Sequence, residues 1–486
     1  MFVRNFTFKV SSQFLAAILA FISLLVMTRY VAVEYGTMIW GLALVSLVNT
    51  VADIGFNSAN LKFISKEGYD QSACFSTFIV IKLFLTLLMI AGTIVTAWLM
   101  LESGSITDEE FMVCMVFIIY QIISNVQFAI YYTLDGLLLS GKSSILTIVE
   151  CSIRNAILII MAFYYVDAVT LSSSYVIATA ISGVLSVYMI FSVGIRLKRP
   201  KYIREYAVFA APLAVALILT SVVTNLDKVV IGLFYDPIEV SYYSTAVGLI
   251  ATFTAVGVSL NNVLLPHLSK NIMDRHMMED TLWGLERALC ILLCPFIAFF
   301  IILGSDIACV LFGDNFEPSG KMMAILSIQI IPYVFAGMMT QVLYALNKGR
   351  SYLRASFALF IVAVSGFLVL IPTEGYLGFG MGYGGDGAAA SVVAAYIVFA
   401  LVLMWMVKRT TGYRLYPKFW KIIIAFGLCI LSLYAIDYMI GAFGLIGLAV
   451  KGLFCEFVFI IILIAMHEIE KSDILTIWKK FRDDED

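Results

Sequence analysis

Long apolar stretches recur along the whole chain, and they constrain its fold more than any other feature. Segments 171–195 and 387–407 contain no charged residue, and both exceed the roughly 18 residues that mark a membrane-spanning helix. The chain is 62% hydrophobic and only 13% charged, whereas a soluble domain is about half apolar and a quarter charged. These features predict an all-α integral membrane protein.

Fourteen transmembrane helices can be placed along the chain. We expect them at 10–32, 36–57, 74–100, 111–134, 144–166, 171–195, 205–234, 240–265, 281–303, 321–346, 351–371, 387–408, 419–440 and 443–466. The short loops between them leave no room for a water-soluble catalytic domain. The 31 Lys and Arg residues against 33 Asp and Glu residues give no positive excess for binding nucleic acid.

Lysine and arginine are distributed unevenly between alternate loops, which sets the predicted orientation. On this assignment 24 of the 31 cationic residues lie on the side of the two termini. The opposite side holds Arg29 and Lys321 and is otherwise acidic. Because short cytoplasmic loops carry the excess of Lys and Arg, we expect a multi-pass plasma-membrane protein with both termini in the cytoplasm.

Two pairs of segments indicate an internal repeat. The sequence after Glu34 resembles that after Glu239, and the sequence at Leu137 resembles that at Tyr344, at offsets of 205 and 207 residues. Each offset contains six predicted helices, an even number, so the copies are parallel, as in transporters with two lobes around a cavity. We predict an N-lobe at 1–200 and a C-lobe at 201–410, followed by two additional helices at 411–466.

Two segments outside the spans are expected to form short helices. Ser305 and Asp306 are typical helix caps and predict an external half-helix before the tenth span. The cytoplasmic tail, 467–486, places Ile474, Trp478 and Phe481 near one helical face, with lysines and an arginine on the other. That pattern predicts an interfacial helix.

Four stretches together resemble the oligosaccharide flippase, or polysaccharide transporter, family, within the multidrug, oligosaccharidyl-lipid and polysaccharide exporter superfamily. They are ADIGFNSANLKFIS at 52–65, NLDKVVIGLFYDPIEVSYYSTA at 225–246, VLFGDNF at 310–316 and YGGDGAAASVVAAY at 383–396. The resemblance implies two six-helix bundles that form a V-shaped cavity. It also implies movement of lipid-linked sugars to the outer leaflet by alternating access.

Charged residues inside the spans are the candidate substrate-binding residues, because a charge at mid-bilayer is costly and normally faces a partner or a wet cavity. Arg154 lies near the middle of the fifth span, and Glu150 precedes it by four residues on the same helical face. Either the two neutralise each other, or Arg154 faces the cavity and contacts a phosphate of the carrier lipid. The planar guanidinium suits phosphate because it donates two hydrogen bonds at once.

The remaining intramembrane charges lie at other depths. Asp227 and Lys228 are adjacent in the seventh span, with Asn225 nearby, and adjacency predicts that the two charges point apart. They form either a polar clamp between helices or part of the cavity. Lys82 and Arg287 lie about two turns from the cytoplasmic ends of their helices. Either they extend to the head groups, or they line the inward-facing cavity. Lys451 and Glu456 could pair or line a groove for the lipid tail.

The preferred prediction is a flippase for lipid-linked oligosaccharide carried on a phosphate or pyrophosphate lipid, acting in glycan assembly. The partners it implies are the membrane and glycan-assembly enzymes, not nucleic acid, and no cofactor is expected. One alternative is an ion-coupled multidrug exporter of the same superfamily, which would move cationic compounds. A membrane-embedded polysaccharide polymerase is the alternative of another class, but it needs a large external loop with catalytic residues. The eight scattered cysteines predict small core residues.

Overall fold

The computed structural model describes residues 2–53, 55–66, 68–271, 275–346, 348–373, 380–440 and 444–468, and over these residues the chain forms helices and no strands. Thirteen helices of this described part are long and apolar enough to cross a membrane. Their exposed faces carry large apolar side chains; Phe84, Leu87 and Trp98, all on one helix, are each more than half exposed. Hydrocarbon accommodates such a surface, so the chain is a multi-pass membrane protein.

The described residues contain sixteen α-helices. They are α1 (Phe2–Tyr30), α2 (Ala32–Asn49), α3 (Phe56–Ile64), α4 (Gln71–Glu102), α5 (Asp108–Gly136), α6 (Ser140–Phe163), α7 (Ala168–Ser192), α8 (Ile203–Phe234), α9 (Pro237–Asn271), α10 (Arg275–Phe312), α11 (Glu317–Ser327), α12 (Ile330–Ala345), α13 (Gly349–Leu370), α14 (Gly384–Thr411), α15 (Phe419–Ile440) and α16 (Gly444–Ala465).

Two of the predicted spans are interrupted. Span 36–57 is divided between α2 and α3 by the 3-10 turn Thr50–Asp53 and by Gly55, whose φ of 70° is incompatible with continuing a right-handed helix. Span 321–346 is divided between α11 and α12. Pro332 has no N–H to bond to the carbonyl four residues earlier, so it fits only in the first turn of α12.

The predicted half-helix beginning at Ser305 is wrong. Helix α10 continues through Ser305 and Asp306 to Phe312, and Gly313, with a φ of 106°, follows its end. Ile307 and Phe312 are buried, so the continued helix keeps an apolar packing face. Capping residues mark a helix start only where the chain changes direction, and here it does not.

Two other predictions are only partly covered by the described residues. The span 240–265 lies within α9, which is not among the thirteen candidate spans found in the described residues, and the side chains of 258–271 are outside the described set. The predicted interfacial helix of the tail lies outside the described residues, which end at Glu468. The fourteen-helix count and the parallel repeat therefore stay predictions.

The chain divides into two compact units. Unit 1 consists of Met1–Gly248 and Leu359–Ser391, and unit 2 consists of Leu249–Ala358 and Val392–Asp486. In unit 1, α1 packs against α6, and α5 packs against both α4 and α7. In unit 2, α10 packs against α11, α15 and α16. The lobe boundaries predicted from the repeat stay a prediction.

Polar side chains cap several helices of unit 1 at the membrane boundary. Asp70 accepts from the backbone N–H of Ser72 at 3.0 Å and Ala73 at 3.2 Å at the start of α4. The ammonium of Lys198 donates to the same carboxylate and holds the pKa of Asp70 below its ordinary value. Thr107 and Glu110 form a reciprocal capping box at the start of α5.

Glycines allow close approach of the helices within unit 1. A Cβ added at Gly36 on α2 would lie 1.8 Å from the carbonyl oxygen of Pro237 at the start of α9. Gly232 on α8 similarly makes space for the indole of Trp40, which donates to the carbonyl of Val229 at 3.3 Å. Small residues at such contacts let membrane helices pack through their backbones.

The cysteines behave as predicted, as small core residues. All eight are free thiols and seven are buried. Over the described residues, no group of three or more His, Cys, Asp and Glu side chains is arranged to hold a metal ion.

We predict that Gly36→Ala lowers the melting temperature of the purified protein in detergent. The added methyl group collides with backbone, which cannot rotate away, and overpacking of this kind typically costs about 1–3 kcal/mol. The matched control is Gly284→Ala on α10, where an added Cβ meets nothing within 4 Å. Equal melting temperatures for the two variants would contradict the contact described for α2.

Candidate functional site

Arg154 and Glu150 form an ion pair on one face of α6, as their spacing predicts. The Nη1 atom of Arg154 lies 3.7 Å from Oε1 of Glu150, and the two side chains are 23% and 17% exposed. The distance is long for a charge-assisted hydrogen bond, which is usually about 2.7–2.9 Å. The pair is therefore loose and partly accessible.

The second carboxylate oxygen of Glu150 is held by residues of α5. Gln127 donates to Oε2 of Glu150 at 3.0 Å and Tyr131 donates to the same atom at 3.3 Å. Gln127, which is 3% exposed, also donates to the hydroxyl of Ser182 on α7 at 2.8 Å. Glu150 thus has partners on α5 that do not depend on Arg154.

The guanidinium of Arg154 lies against aromatic rings. Its central carbon is 4.9 Å from the ring centre of Tyr175 on α7, within the range of a cation–π interaction. Tyr175 in turn contacts Tyr120 of α5 edge-on, with ring centres 5.3 Å apart. The only other polar contact of Arg154 among the described residues is with the Cys151 sulfur at 4.0 Å. These contacts use few of the five N–H donors of the guanidinium.

Asp227 and Lys228 pair with each other, so the prediction that they point apart is wrong. The Nζ atom of Lys228 lies 3.1 Å from Oδ1 of Asp227 and also donates to the carbonyl of Thr224 at 2.9 Å. The four-carbon lysine stem is long enough to turn back along the helix, which reasoning from helical angles alone does not consider. Tyr243 of α9 donates to Oδ2 of Asp227 at 2.7 Å.

Asn225 is engaged by its own helix. Its amide donates to the carbonyl of Ser221 at 2.9 Å and to the hydroxyl of Thr224 at 3.3 Å.

Lys82, on α4, is almost fully buried at 1% exposure, and its ammonium lies 5.9 Å from the ring centre of Phe78. A side chain buried to that extent does not extend to the lipid head groups.

Arg287 belongs to a polar cluster in unit 2. Its Nε atom lies 3.3 Å from Oε1 of Glu468, and Lys421 lies 3.7 Å from the other oxygen of that carboxylate. The neighbouring Glu286 accepts from the hydroxyl of Tyr413 and from the backbone N–H of Tyr416. This cluster ties α10 to the loop before α15 and to the end of α16.

Lys451 also has a partner that the sequence did not suggest. Its ammonium lies 2.6 Å from Oδ1 of Asp437 on α15 rather than beside Glu456. Lys451 is 2% exposed and Asp437 is 31% exposed at the side chain. The pair therefore joins α15 to α16.

The structure brings Arg154 together with Glu150 and Lys228 together with Asp227, both within unit 1. The residues that sequence reasoning missed are Gln127, Tyr131 and Tyr175. Gln127 and Tyr131 are spaced four apart on α5, a polar spacing that could have indicated a partner for Glu150. Tyr175 carries no comparable signal because tyrosines are common throughout the chain.

The long apolar helices define a polytopic membrane protein, and the comparisons agree. The chain has the fold of a structure described as "Lipid II flippase MurJ, inward closed conformation", with a TM-score of 0.72 and 15% identity over 93% of this chain and 98% of the other. An inward-facing multidrug resistance MATE family transporter of the MOP superfamily matches with a TM-score of 0.60 and 11% identity over 82% and 94% of the two chains. No curated protein matches by sequence.

A family model described as "Polysaccharide biosynthesis protein" matches residues 2–272. The chain therefore belongs to the polysaccharide biosynthesis protein family.

We predict that Tyr243→Phe destabilises the protein by about 1.5–3 kcal/mol, because it removes the hydroxyl that donates to the buried Asp227 carboxylate. Thermal unfolding in detergent measures the effect. Tyr438→Phe is the control, since Tyr438 is 87% exposed. If both variants unfold at the temperature of the parent protein, the hydrogen bond contributes nothing to stability.

Proposed function

We propose that the chain is a flippase that moves a lipid-linked oligosaccharide from the cytoplasmic to the outer leaflet for polysaccharide assembly. Family membership and the shared fold support the general class, a membrane transporter acting in polysaccharide biosynthesis. The nature of the substrate rests on the chemistry of the intramembrane cations, and above all on Arg154.

Arg154 is suited to bind a phosphate group. Its side chain is 23% exposed, its carboxylate partner is 3.7 Å away, and most of its N–H donors are available among the described residues. A phosphate or pyrophosphate could accept two parallel hydrogen bonds from the planar guanidinium. Tyr175 would keep packing against one face of the guanidinium, whose edge carries the N–H donors.

The environment of Glu150 lowers the free-energy cost of replacing the Arg154–Glu150 pair with a contact between Arg154 and a phosphate. If Arg154 turned toward a phosphate, Glu150 would keep the hydrogen bonds from Gln127 and Tyr131. Removing one partner of a buried ion pair is costly mainly because the other charge is left without compensation. Here the carboxylate retains two donors, so that penalty is reduced.

Lys228 is a secondary candidate. Its ammonium is 15% exposed and already satisfied by Asp227 and the carbonyl of Thr224. It would contribute to the positive potential of the substrate path more than it would bind phosphate directly. Asn225 and Lys82 are bound within unit 1 in ways that suggest support for the helices.

A groove in unit 2 suits the lipid tail of the substrate. It lies between α10 and α16, has a volume of about 640 Å³, and is lined by apolar residues including Phe296, Phe299 and Leu453, with Glu456 at one side. An acyl or prenyl chain could remain there in contact with the bilayer while the polar head group crosses. Because the tail comes from hydrocarbon and not from water, the groove would hold it by van der Waals packing.

We further propose that transport proceeds by alternating access, with the predicted lobes 1–200 and 201–410 moving against each other and both termini in the cytoplasm. An inside-negative membrane potential would assist outward movement of an anion by about 2.3 kcal/mol per charge per 100 mV. The alternative, a multidrug exporter, would predict transport of cationic compounds, for which an arginine in the site is unfavourable.

The test is translocation of a fluorescent lipid-diphosphate oligosaccharide by the purified protein in liposomes, followed by access of a quencher to the outer leaflet. We expect Arg154→Ala to slow translocation about tenfold or more, because a hydrogen bond to a charged group contributes about 1.5–3 kcal/mol. Arg154→Lys should retain part of the rate, since it keeps the charge and loses the planar fork.

The control is Arg350→Ala, an exposed cation at the start of α13. It should translocate at the parent rate at equal reconstituted amounts. A full rate for Arg154→Ala would remove Arg154 from the mechanism. Transport of cationic dyes in place of the lipid would favour the exporter.

A further inference from the structure

The segment that joins α7 to α8 is fixed against the start of α4 by a row of hydroxyl groups. Backbone N–H groups of Arg196, Lys198 and Lys201 donate to the hydroxyls of Ser72 at 3.2 Å, Ser76 at 2.7 Å and Thr77 at 3.1 Å. The linker is therefore held along one face of the helix, although it has no regular secondary structure.

The hydroxyls that hold the linker are themselves oriented by α4. Ser76 donates to the carbonyl of Ser72 at 2.8 Å, and Thr77 donates to the carbonyl of Ala73 at 2.7 Å. The hydroxyl protons of Ser76 and Thr77 are thus used within the helix, and oxygen lone pairs of both residues are left to accept from the linker. Lys198 adds a side-chain bond to Asp70 at 2.7 Å.

The fixed linker presents an exposed array of positive charge. We define the basic strip as Arg196, Arg199 and Lys201 of the linker together with Arg204 in the first turn of α8, all of which are exposed. Two neighbouring apolar residues, Leu197 in the linker and Ile203 at the start of α8, are 65% and 46% exposed. The strip lies where the α4 span begins, at Gln71, so the charges and the apolar side chains are at the membrane boundary.

More cations lie on the neighbouring helix α3 and just after its end. Lys62 and Lys66 are exposed, and the ammonium of Lys62 lies 4.1 Å from the ring centre of Phe209 on α8, close to the C-terminal end of the strip in the sequence. Charged groups interleaved with apolar side chains at a bilayer surface match a layer of anionic head groups above acyl chains.

We propose that the basic strip binds the head groups of anionic phospholipids in the adjacent leaflet. The phosphates pair with the guanidinium and ammonium groups while Leu197 and Ile203 insert among the acyl chains. Because the backbone is already fixed by α4, little conformational entropy is lost on binding, which distinguishes this strip from a mobile polybasic loop. The proposal does not depend on the transported substrate.

The test measures how much phosphatidylglycerol and phosphatidylcholine the full-length protein retains in native mass spectrometry after equilibration with mixed micelles. We expect the parent protein to retain phosphatidylglycerol preferentially, with the preference falling as salt is added. The variant carrying Arg196→Gln, Arg199→Gln, Lys201→Gln and Arg204→Gln should lose that preference at least tenfold.

Two matched variants separate a built site from general surface charge. Changing Lys348, Arg350, Arg354 and Lys408 to Gln removes the same number of exposed cations elsewhere and should leave the preference within about twofold of the parent. Ser76→Ala with Thr77→Val keeps every charge but releases the linker, and should lower the preference about threefold.

Equal losses in the two quadruple variants, or no preference in the parent protein, would overturn the proposal. Competition by millimolar inorganic phosphate would also overturn it, because the site would then bind a soluble anion. If the strip variant does not fold, the parent protein and the Ser76→Ala, Thr77→Val variant decide the outcome.

Discussion

The cost of placing a charge in hydrocarbon governs the interior of this protein. Arg154, Lys228 and Lys451, inside the predicted spans, each lie within 4 Å of a carboxylate on a membrane helix. Arg287 lies within 4 Å of the carboxylate of Glu468, beyond the end of α16. An unpaired charge at mid-bilayer costs about 2.5–3.5 kcal/mol on insertion scales, so pairing lowers the cost of inserting these helices. The three pairs within the helices are arranged in different ways.

The three pairs differ in tightness and in what else they contact. Lys451 and Asp437 are 2.6 Å apart and join two helices, so they act as a structural link in unit 2. Lys228 turns back to the preceding residue, and Tyr243 fixes the carboxylate of that residue. Arg154 is the loosest, at 3.7 Å, and the most exposed of the three cations. Of these three cations, Arg154 alone combines access with spare hydrogen-bond donors.

Sequence patterns predicted the helices well because a bilayer imposes one length and one polarity on every spanning segment. The interruptions after Asn49 and before Ile330 were not predicted, since apolar residues continue through both and hydropathy does not report backbone direction. Ser305 and Asp306 were predicted to start a helix for the same reason, because their residue types do not report the direction of the backbone. The backbone geometry at Gly55 and Pro332 determines where the two spans are interrupted, and only the structure shows that geometry.

The partners of the charged residues could be predicted from the sequence only in part. Spacing along one helix correctly joined Arg154 to Glu150, because both sit on the same face of α6. It failed for Lys451, whose partner Asp437 is on another helix, and for Lys228, whose flexible stem reaches a neighbour that helical angles exclude. Partners across helices such as Gln127 depend on which faces pack together, and one sequence does not contain that information.

A membrane protein that must offer a cation to a substrate faces opposing requirements. The cation has to be neutralised for insertion, yet a tightly paired cation is unavailable for binding. The arrangement around Glu150 reconciles the two, because this carboxylate is close enough to neutralise Arg154 while Gln127 and Tyr131 hold it in place independently. In the proposed mechanism, Arg154 exchanges one anionic partner for another, and Glu150 keeps its hydrogen bonds from α5. The carboxylate that lowers the cost of inserting Arg154 would then also permit reversible binding of a phosphate.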